Sequence, residues 1–203
     1  MGLTLIKETG AGLPDANSYA DVADGNAYHE GHLYASAWSA ALDPQKAAAL
    51  VMATRLIDGE YQFSGFKALS GQALQWPRLE CREPDGDTAA FGASNAARVQ
   101  TKALILGGNG QIKIVSAVQM VPGDLVPKAV VEATCELARE LIVQDRTAAP
   151  PGEGLKYQND GGTQTGYDKA DKRPIMPAVV QALLARYGSL IKSKSGSVRL
   201  VRA

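Results

Sequence analysis

The sequence is poor in the residue types from which metal and nucleophilic centres are usually built. Its 203 residues include 2 cysteines and 2 histidines. Cys81 and Cys135 form no C-x-x-C pair, and two free thiols in a reducing compartment are expected. His29 and His32 share a predicted helix without an accompanying H-E-x-x-H pattern, so solvent-facing histidines are the preferred interpretation. We therefore expect no metal and no cofactor.

Several other signals are also missing. No apolar run approaches the roughly 20 residues that span a bilayer, and no secretory signal is evident at the N-terminus. There is no G-x-S-x-G motif, and Gly107-Gly108-Asn109-Gly110 lacks the Lys-Ser/Thr of a phosphate-binding loop. These absences predict a protein that is not an enzyme, is made in a cytoplasm and has no membrane partner.

Acidic residues are absent from the last part of the chain. The sequence has 21 basic and 21 acidic residues, yet the segment after Asp171 carries seven basic residues and no acidic one. The preceding part is correspondingly acidic, with a net charge of −7. A basic end on an acidic body predicts contact with nucleic acid, with an acidic protein surface or with a neighbouring subunit.

Apolar periodicity predicts four helices. Asp21 is the expected N-cap of the first and Asp43 of the second, where Pro44 suits the first helical position. Glu132, Glu136 and Glu140 are expected to form a solvated or intersubunit face of the third helix. The four predicted ranges are about 22–35, 44–59, 127–145 and 176–187.

Two β-hairpins are predicted between these helices. Asn109-Gly110 separates two β-prone runs in an insertion at about 103–115, and a second hairpin is expected at 155–167. The expected fold is mainly α: a small four-helix domain at 1–191 with two protruding hairpins, followed by an extended basic C-terminal arm at 192–203. In the arm, Val198-Arg199-Leu200-Val201-Arg202 alternates in the manner of a strand.

Further landmarks follow one another in a fixed order along the chain. They are Ser18-Tyr19, Ala53-Thr54-Arg55-Leu56-Ile57-Asp58, Leu74-Gln75-Trp76-Pro77-Arg78, Val126-Pro127, Glu136-Leu137-Ala138 and Arg199-Leu200-Val201-Arg202.

Together these landmarks resemble a family of tailed-bacteriophage head–tail connector (adaptor or neck) proteins, often labelled DnaT-like single-stranded-DNA-binding proteins. The resemblance covers about 17–203 and departs at 89–120. It implies a homo-oligomeric ring, usually of twelve copies, at the neck of the virion. Its implied partners are the portal protein, a tail or tail-terminator (stopper) protein, and double-stranded DNA passing through the channel.

The resemblance also implies that Leu74–Arg78 is a packing turn with Trp76 in the core, and it implies contact residues. The arm would dock on the portal through Lys192, Lys194, Val198, Arg199, Leu200, Val201 and Arg202. Subunit or tail contacts would come from Ile105, Asn109, Ile112, Ile114, Tyr157 and Tyr167. The alternative is a single-stranded-DNA-binding module that acts through the basic arm.

Overall fold

The computed structural model describes residues 2–84, 99–100, 103–104, 113–114, 118–148, 157–166 and 174–191. Five helices occur within these ranges. They are α1 (Val22–Glu30), α2 (Ser36–Ala40), α3 (Asp43–Glu60), α4 (Lys128–Val143) and α5 (Ala178–Leu184).

The described strands are short and pair in twos, always antiparallel. Strand β1 pairs with β10, β2 with β3, β4 with β7, β5 with β6, and β8 with β9. Their bounds are β1 (Tyr61–Phe63), β2 (Phe66–Lys67), β3 (Arg78–Leu79), β4 (Val99–Gln100), β5 (Ala103–Leu104), β6 (Lys113–Ile114), β7 (Val118–Gln119), β8 (Tyr157–Asp160), β9 (Thr163–Gly166) and β10 (Gly188–Leu190).

The core lies where α4 packs against α3 on one side and α5 on the other. Leu50 and Ile57 of α3 are fully buried, as are Val130 and Leu137 of α4. They recur at intervals of seven residues, which places each pair on one face of its helix. Trp76 is also fully buried, as predicted.

The predicted four-helix domain is wrong. The described residues form five helices accompanied by small antiparallel sheets. The additional helix, α2, has only five residues, too few to display a helical period. The pairing of β1 with β10 was also missed, because it joins Tyr61 to Leu190 and no local pattern reports so distant a contact.

Helix ends differ from the predictions where local signals compete. Asp21 caps α1 as expected, and its side chain accepts the Asp24 N–H at 2.8 Å. Asp43 is not the N-cap of α3, because Leu42 occupies that position and Asp43 lies inside the helix. The last predicted helix, at about 176–187, is shorter in the structure, and Gly188 begins β10, where an added Cβ would lie 2.3 Å from the Gln62 carbonyl oxygen.

The two predicted hairpin ranges contain antiparallel pairs. In the first, Ala103 pairs with Ile114, and the residues between β5 and β6 lie outside the described ranges. In the second, β8 and β9 are joined at Gly161 and Gly162, both of which have positive φ.

The N-terminal segment is organised by a buried carboxylate that the sequence did not reveal. Glu8 is 1% exposed and accepts hydrogen bonds from the backbone of Gly10, Gly12 and Leu13 at 2.8 to 2.9 Å. Gly10 has a φ of 102°, and an added Cβ would lie 2.1 Å from the Asp124 carbonyl oxygen. Glycine is required at this position both by its backbone conformation and by this close approach.

Candidate nucleic-acid interface

Most of the contact residues predicted from the sequence lie outside the described ranges. This is true of the whole arm at 192–203, and of Ile105, Asn109, Ile112 and Tyr167. Ile114 lies in β6, where only the backbone is described. Tyr157, in β8, has an exposed fraction of 56%. The described structure therefore brings no two of these side chains together.

Many cations of the described N-terminal region are already engaged within the protein. Lys7 Nζ lies 2.5 Å from the Asp24 carboxylate, and Lys46 is buried and donates to Asn26 at 3.1 Å. Arg78 is also buried. Arg55 and Arg82 are exposed. This part of the molecule consequently offers isolated cations rather than a broad basic patch.

One loop combines a rigid base with exposed apolar groups. Residues 61–84 contain β1, β2 and β3. At its base the guanidinium of Arg78 donates to the carbonyls of Ser64 at 2.7 Å, Gly65 at 2.6 Å and Gln75 at 3.1 Å. Since guanidinium presents several donors in a fixed plane, one side chain can hold both limbs of the loop.

A buried tyrosine and a buried carboxylate fix the other side of the loop. The Tyr19 hydroxyl donates to Asp58 at 2.5 Å and accepts the N–H groups of Gln75 at 3.0 Å and Trp76 at 3.2 Å. The other oxygen of Asp58 accepts Gln75 N–H at 3.0 Å. Burial raises the pKa of Asp58 to about 6. Burial, with the nearby Asp58 charge, also raises the Tyr19 pKa well above its ordinary value.

The loop presents Phe66 and Leu69 to solvent. Their exposed fractions are 51% and 52%. Phe66 is the first residue of β2 and is paired with Leu79, so its backbone is fixed by the hairpin. Lys67 follows it, and its ammonium lies 3.4 Å from the carbonyls of Gln72 and Ala73. Because successive side chains of a strand point to opposite faces, Lys67 does not lie beside the Phe66 ring. An exposed aromatic ring on a fixed strand is itself suited to stacking on a base.

A second exposed aromatic group has different surroundings. Leu33 and Tyr34, between α1 and α2, are 92% and 76% exposed. The neighbouring His32 accepts the Tyr34 N–H at 3.1 Å, and its other ring nitrogen lies 3.6 Å from the Glu136 carboxylate. The charged group that His32 faces is an anion and not a cation, so it offers phosphate no attraction and this surface is less suited to nucleic acid.

His29 is not solvent-facing as predicted, whereas the His32 side chain is 26% exposed. His29 is 4% exposed, and its Nε2 lies 3.1 Å from the Cys135 carbonyl oxygen. Its ring also packs on Trp38, with centroids 4.8 Å apart. Burial lowers the pKa of His29, which favours the neutral ring. The position of His29 was misjudged because the weak apolar face of α1 does not show that α4 covers it.

The glutamate face of α4 is also not a simple solvated face. Glu136 is 3% exposed and accepts from Arg139 at 2.6 Å. Arg139 also donates to Glu140 at 2.7 Å, and Arg146 bonds the other Glu140 oxygen at 3.2 Å. Glu132 pairs with Lys128 at 3.1 Å. Arg139 of the same helix, and Arg146 just beyond its end, therefore neutralise part of the predicted acidic surface.

No group of three or more metal-ligating side chains occurs among the described residues. Cys81 and Cys135 are both buried and free, as expected. Burial raises the pKa of the Cys135 thiol to about 12, so it is not an activated nucleophile. Within the same ranges, no helix has the length and apolar character needed to cross a bilayer.

Residues 3–91 match the model of a family described as "Putative DnaT-like ssDNA binding protein". The match spans less than half of the 203-residue chain. It includes the loop with Phe66, whereas α4, the β8–β9 hairpin and the basic arm lie beyond it. No curated protein and no solved structure matches the chain.

Proposed function

We propose that the protein binds single-stranded DNA, with Phe66 as a stacking platform and the basic C-terminal arm as the phosphate-binding element. The observation that carries the proposal is the match of residues 3–91 to a DnaT-like single-stranded-DNA-binding family. The exposed ring of Phe66 lies inside that match. Binding of this kind involves no catalysis and no cofactor, and we propose neither for this protein.

The two elements have complementary roles. A base stacked on an aromatic side chain contributes about 1–3 kcal/mol whatever its identity, so Phe66 supports binding without sequence preference. The acidic body repels phosphate, and the cations that follow Asp171 supply the long-range attraction. Four phosphate contacts from the arm predict that affinity falls with salt at a log–log slope of about −2.8.

Fluorescence anisotropy with a labelled oligonucleotide tests the stacking platform. Phe66→Ala should raise Kd by about 5- to 150-fold, the equivalent of one lost stacking contact. Phe66→Trp should retain binding, because it keeps an aromatic face. Tyr34→Ala is the matched control, since it removes an even more exposed ring from a different surface of the protein. Equal binding by the Phe66→Ala variant and the unsubstituted protein would contradict the role of Phe66.

Substitution of the basic residues of the arm tests its role in phosphate binding. Replacing Lys192, Lys194, Arg199 and Arg202 by alanine should weaken binding and flatten its salt dependence. Lys128→Ala is the matched control, because this lysine is 88% exposed but lies on α4 and pairs with Glu132. Absence of binding by the unsubstituted protein even at low salt would reject the proposed function as a whole.

A second candidate function is the virion connector ring, and exposed apolar groups favour it. Leu33, Tyr34 and Leu42, around the short helix α2, are 92%, 76% and 69% exposed. Exposed apolar groups of this size are typical of protein contacts. In this proposal the protein acts at the virion neck after synthesis in the host cytoplasm. It contacts neighbouring copies, the portal and a tail protein, and Tyr157 remains a candidate contact.

Mass measurement, alone and with portal-bearing capsids, tests this second candidate. Leu33→Glu should abolish assembly while leaving oligonucleotide binding unchanged, so the two functions are separable. A protein that stays monomeric under both conditions would contradict the connector.

A further inference from the structure

The outward face of α3 carries an apolar groove that no described part of the chain fills. The lining residues of α3 recur at intervals of three and four, so they form one stripe of the helix. The groove has a volume of about 480 Å³, within the range of about 300–1,000 Å³ that holds ligands. It is lined by Leu3, Ala48, Val51, Met52, Arg55 and Leu56.

The chain leaves the described structure close to this groove. Strand β10 pairs with β1, directly after α3, and Ile191 N–H then donates to the carbonyl of Glu60 at 2.8 Å. Glu60 is the last residue of α3. Residues 192–203 therefore start at the C-terminal end of the helix whose outer face carries the groove.

The distances suit a return of the chain onto the same helix. At about 1.5 Å per residue, the lining residues of α3 lie roughly 6–18 Å before Glu60. Val198 is seven residues beyond Ile191, and the intervening Lys-Ser-Lys-Ser-Gly-Ser is a flexible-linker composition. Such a linker has a root-mean-square span of about 15 Å. Because the span of the linker matches the distance from Glu60 to the groove, the effective concentration of the arm at the groove is close to its maximum.

The arm has the composition that the groove requires. In an extended segment, successive side chains point to opposite faces, so Val198 and Leu200 share one face and Arg199 points away. The cation Arg55 on the groove is thereby separated from Arg199. We propose that the groove on α3 is the docking site of the chain's own segment 198–202, with Val198 and Leu200 in contact with Val51, Met52 and Leu56. This inference does not depend on DNA binding or ring formation.

A paramagnetic label on the full-length chain tests the docking. Cys81 and Cys135 are buried, so a nitroxide attaches selectively to Ser197→Cys. The methyl signals of Met52 and Leu56 should be broadened by the label. In the same labelled chain, replacing Val198 and Leu200 by serine should lower the docked population by about tenfold or more, because two aliphatic contacts are lost, and the paramagnetic relaxation of these methyls should fall to the level set by the flexible linker alone.

A groove-side variant and a mixing experiment complete the test. Ala48→Arg, at an exposed position, should release the label without altering the core. Broadening that is absent, or that persists unchanged in the serine variant, would overturn the proposal. Broadening seen only between labelled and unlabelled chains in a mixture would overturn docking within one chain and assign the groove to the arm of a second copy.

Discussion

The buried hydroxyl of Tyr19 joins the first segment of the chain, α3 and the loop at 61–84, and its removal should be costly. Tyr19→Phe keeps the ring but deletes a donor to Asp58 and an acceptor for Gln75 and Trp76. Gln75 N–H keeps its hydrogen bond to the second Asp58 oxygen at 3.0 Å, whereas Trp76 N–H loses its hydrogen bond to the Tyr19 hydroxyl.

The magnitude follows from these contacts. An unsatisfied buried N–H costs about 1–3 kcal/mol, and a hydrogen bond to a charged group contributes about 1.5–3 kcal/mol. Since the two losses share one site they are not additive, and we expect the free energy of unfolding to fall by about 3 kcal/mol. For a chain of this size each kcal/mol shifts Tm by about 2–4 °C, so Tm should fall by about 6–12 °C.

Urea denaturation followed by circular dichroism measures this loss. Tyr34→Phe is the matched control, because its hydroxyl belongs to a residue that is 76% exposed, and it should change stability by less than about 0.5 kcal/mol. If Tyr19→Phe were as stable as this control, the Tyr19 hydroxyl would not be fixing the loop, and Phe66 would not stand on a rigid base.

Three further predictions concern stability. The Asp58 pKa is raised from 3.8 to about 6, so the contribution of this carboxyl group to stability is full below about pH 3.8 and is lost as pH rises through about 6. The free energy of unfolding should therefore fall by about 3 kcal/mol across that interval, and this fall should be missing in Asp58→Asn. Gly25→Ala should lower the free energy of unfolding by about 1–3 kcal/mol, because the added Cβ would lie 2.3 Å from the Trp38 ring. Gly59→Ala meets nothing within 4 Å and should raise it by about 0.5–1 kcal/mol; a thermal melt in which Gly25→Ala is stabilised or Gly59→Ala destabilised would contradict this pair. Arg78→Lys should lower the free energy of unfolding by about 2 kcal/mol and accelerate proteolysis of the loop, because one ammonium cannot bond all the carbonyls that the guanidinium joins. An unchanged rate of cleavage would refute that role of Arg78.

The sequence by itself determined the features that depend on neighbouring residues. Helices at α3 and α4 follow from apolar residues on one face, and the cap at Asp21 follows from its own side chain. The burial of Trp76 was implied by the family resemblance of the Leu74–Arg78 segment, and the structure confirms it. The division between an acidic body and a basic end is also a property of the sequence alone.

Only the tertiary structure decided which polar groups are buried and what they contact. His29 and Glu136 look like surface residues in a helical pattern, yet packing of α1 and α2 on α4 encloses them. The pairing of Tyr61 with Leu190 brings the start of the arm to the end of α3, and this places the groove within its reach. The physical reason is common to these cases. Local periodicity shows which residues share one face of an element. The burial of a side chain and the distance between the arm and the groove depend instead on contacts between residues more than a hundred positions apart.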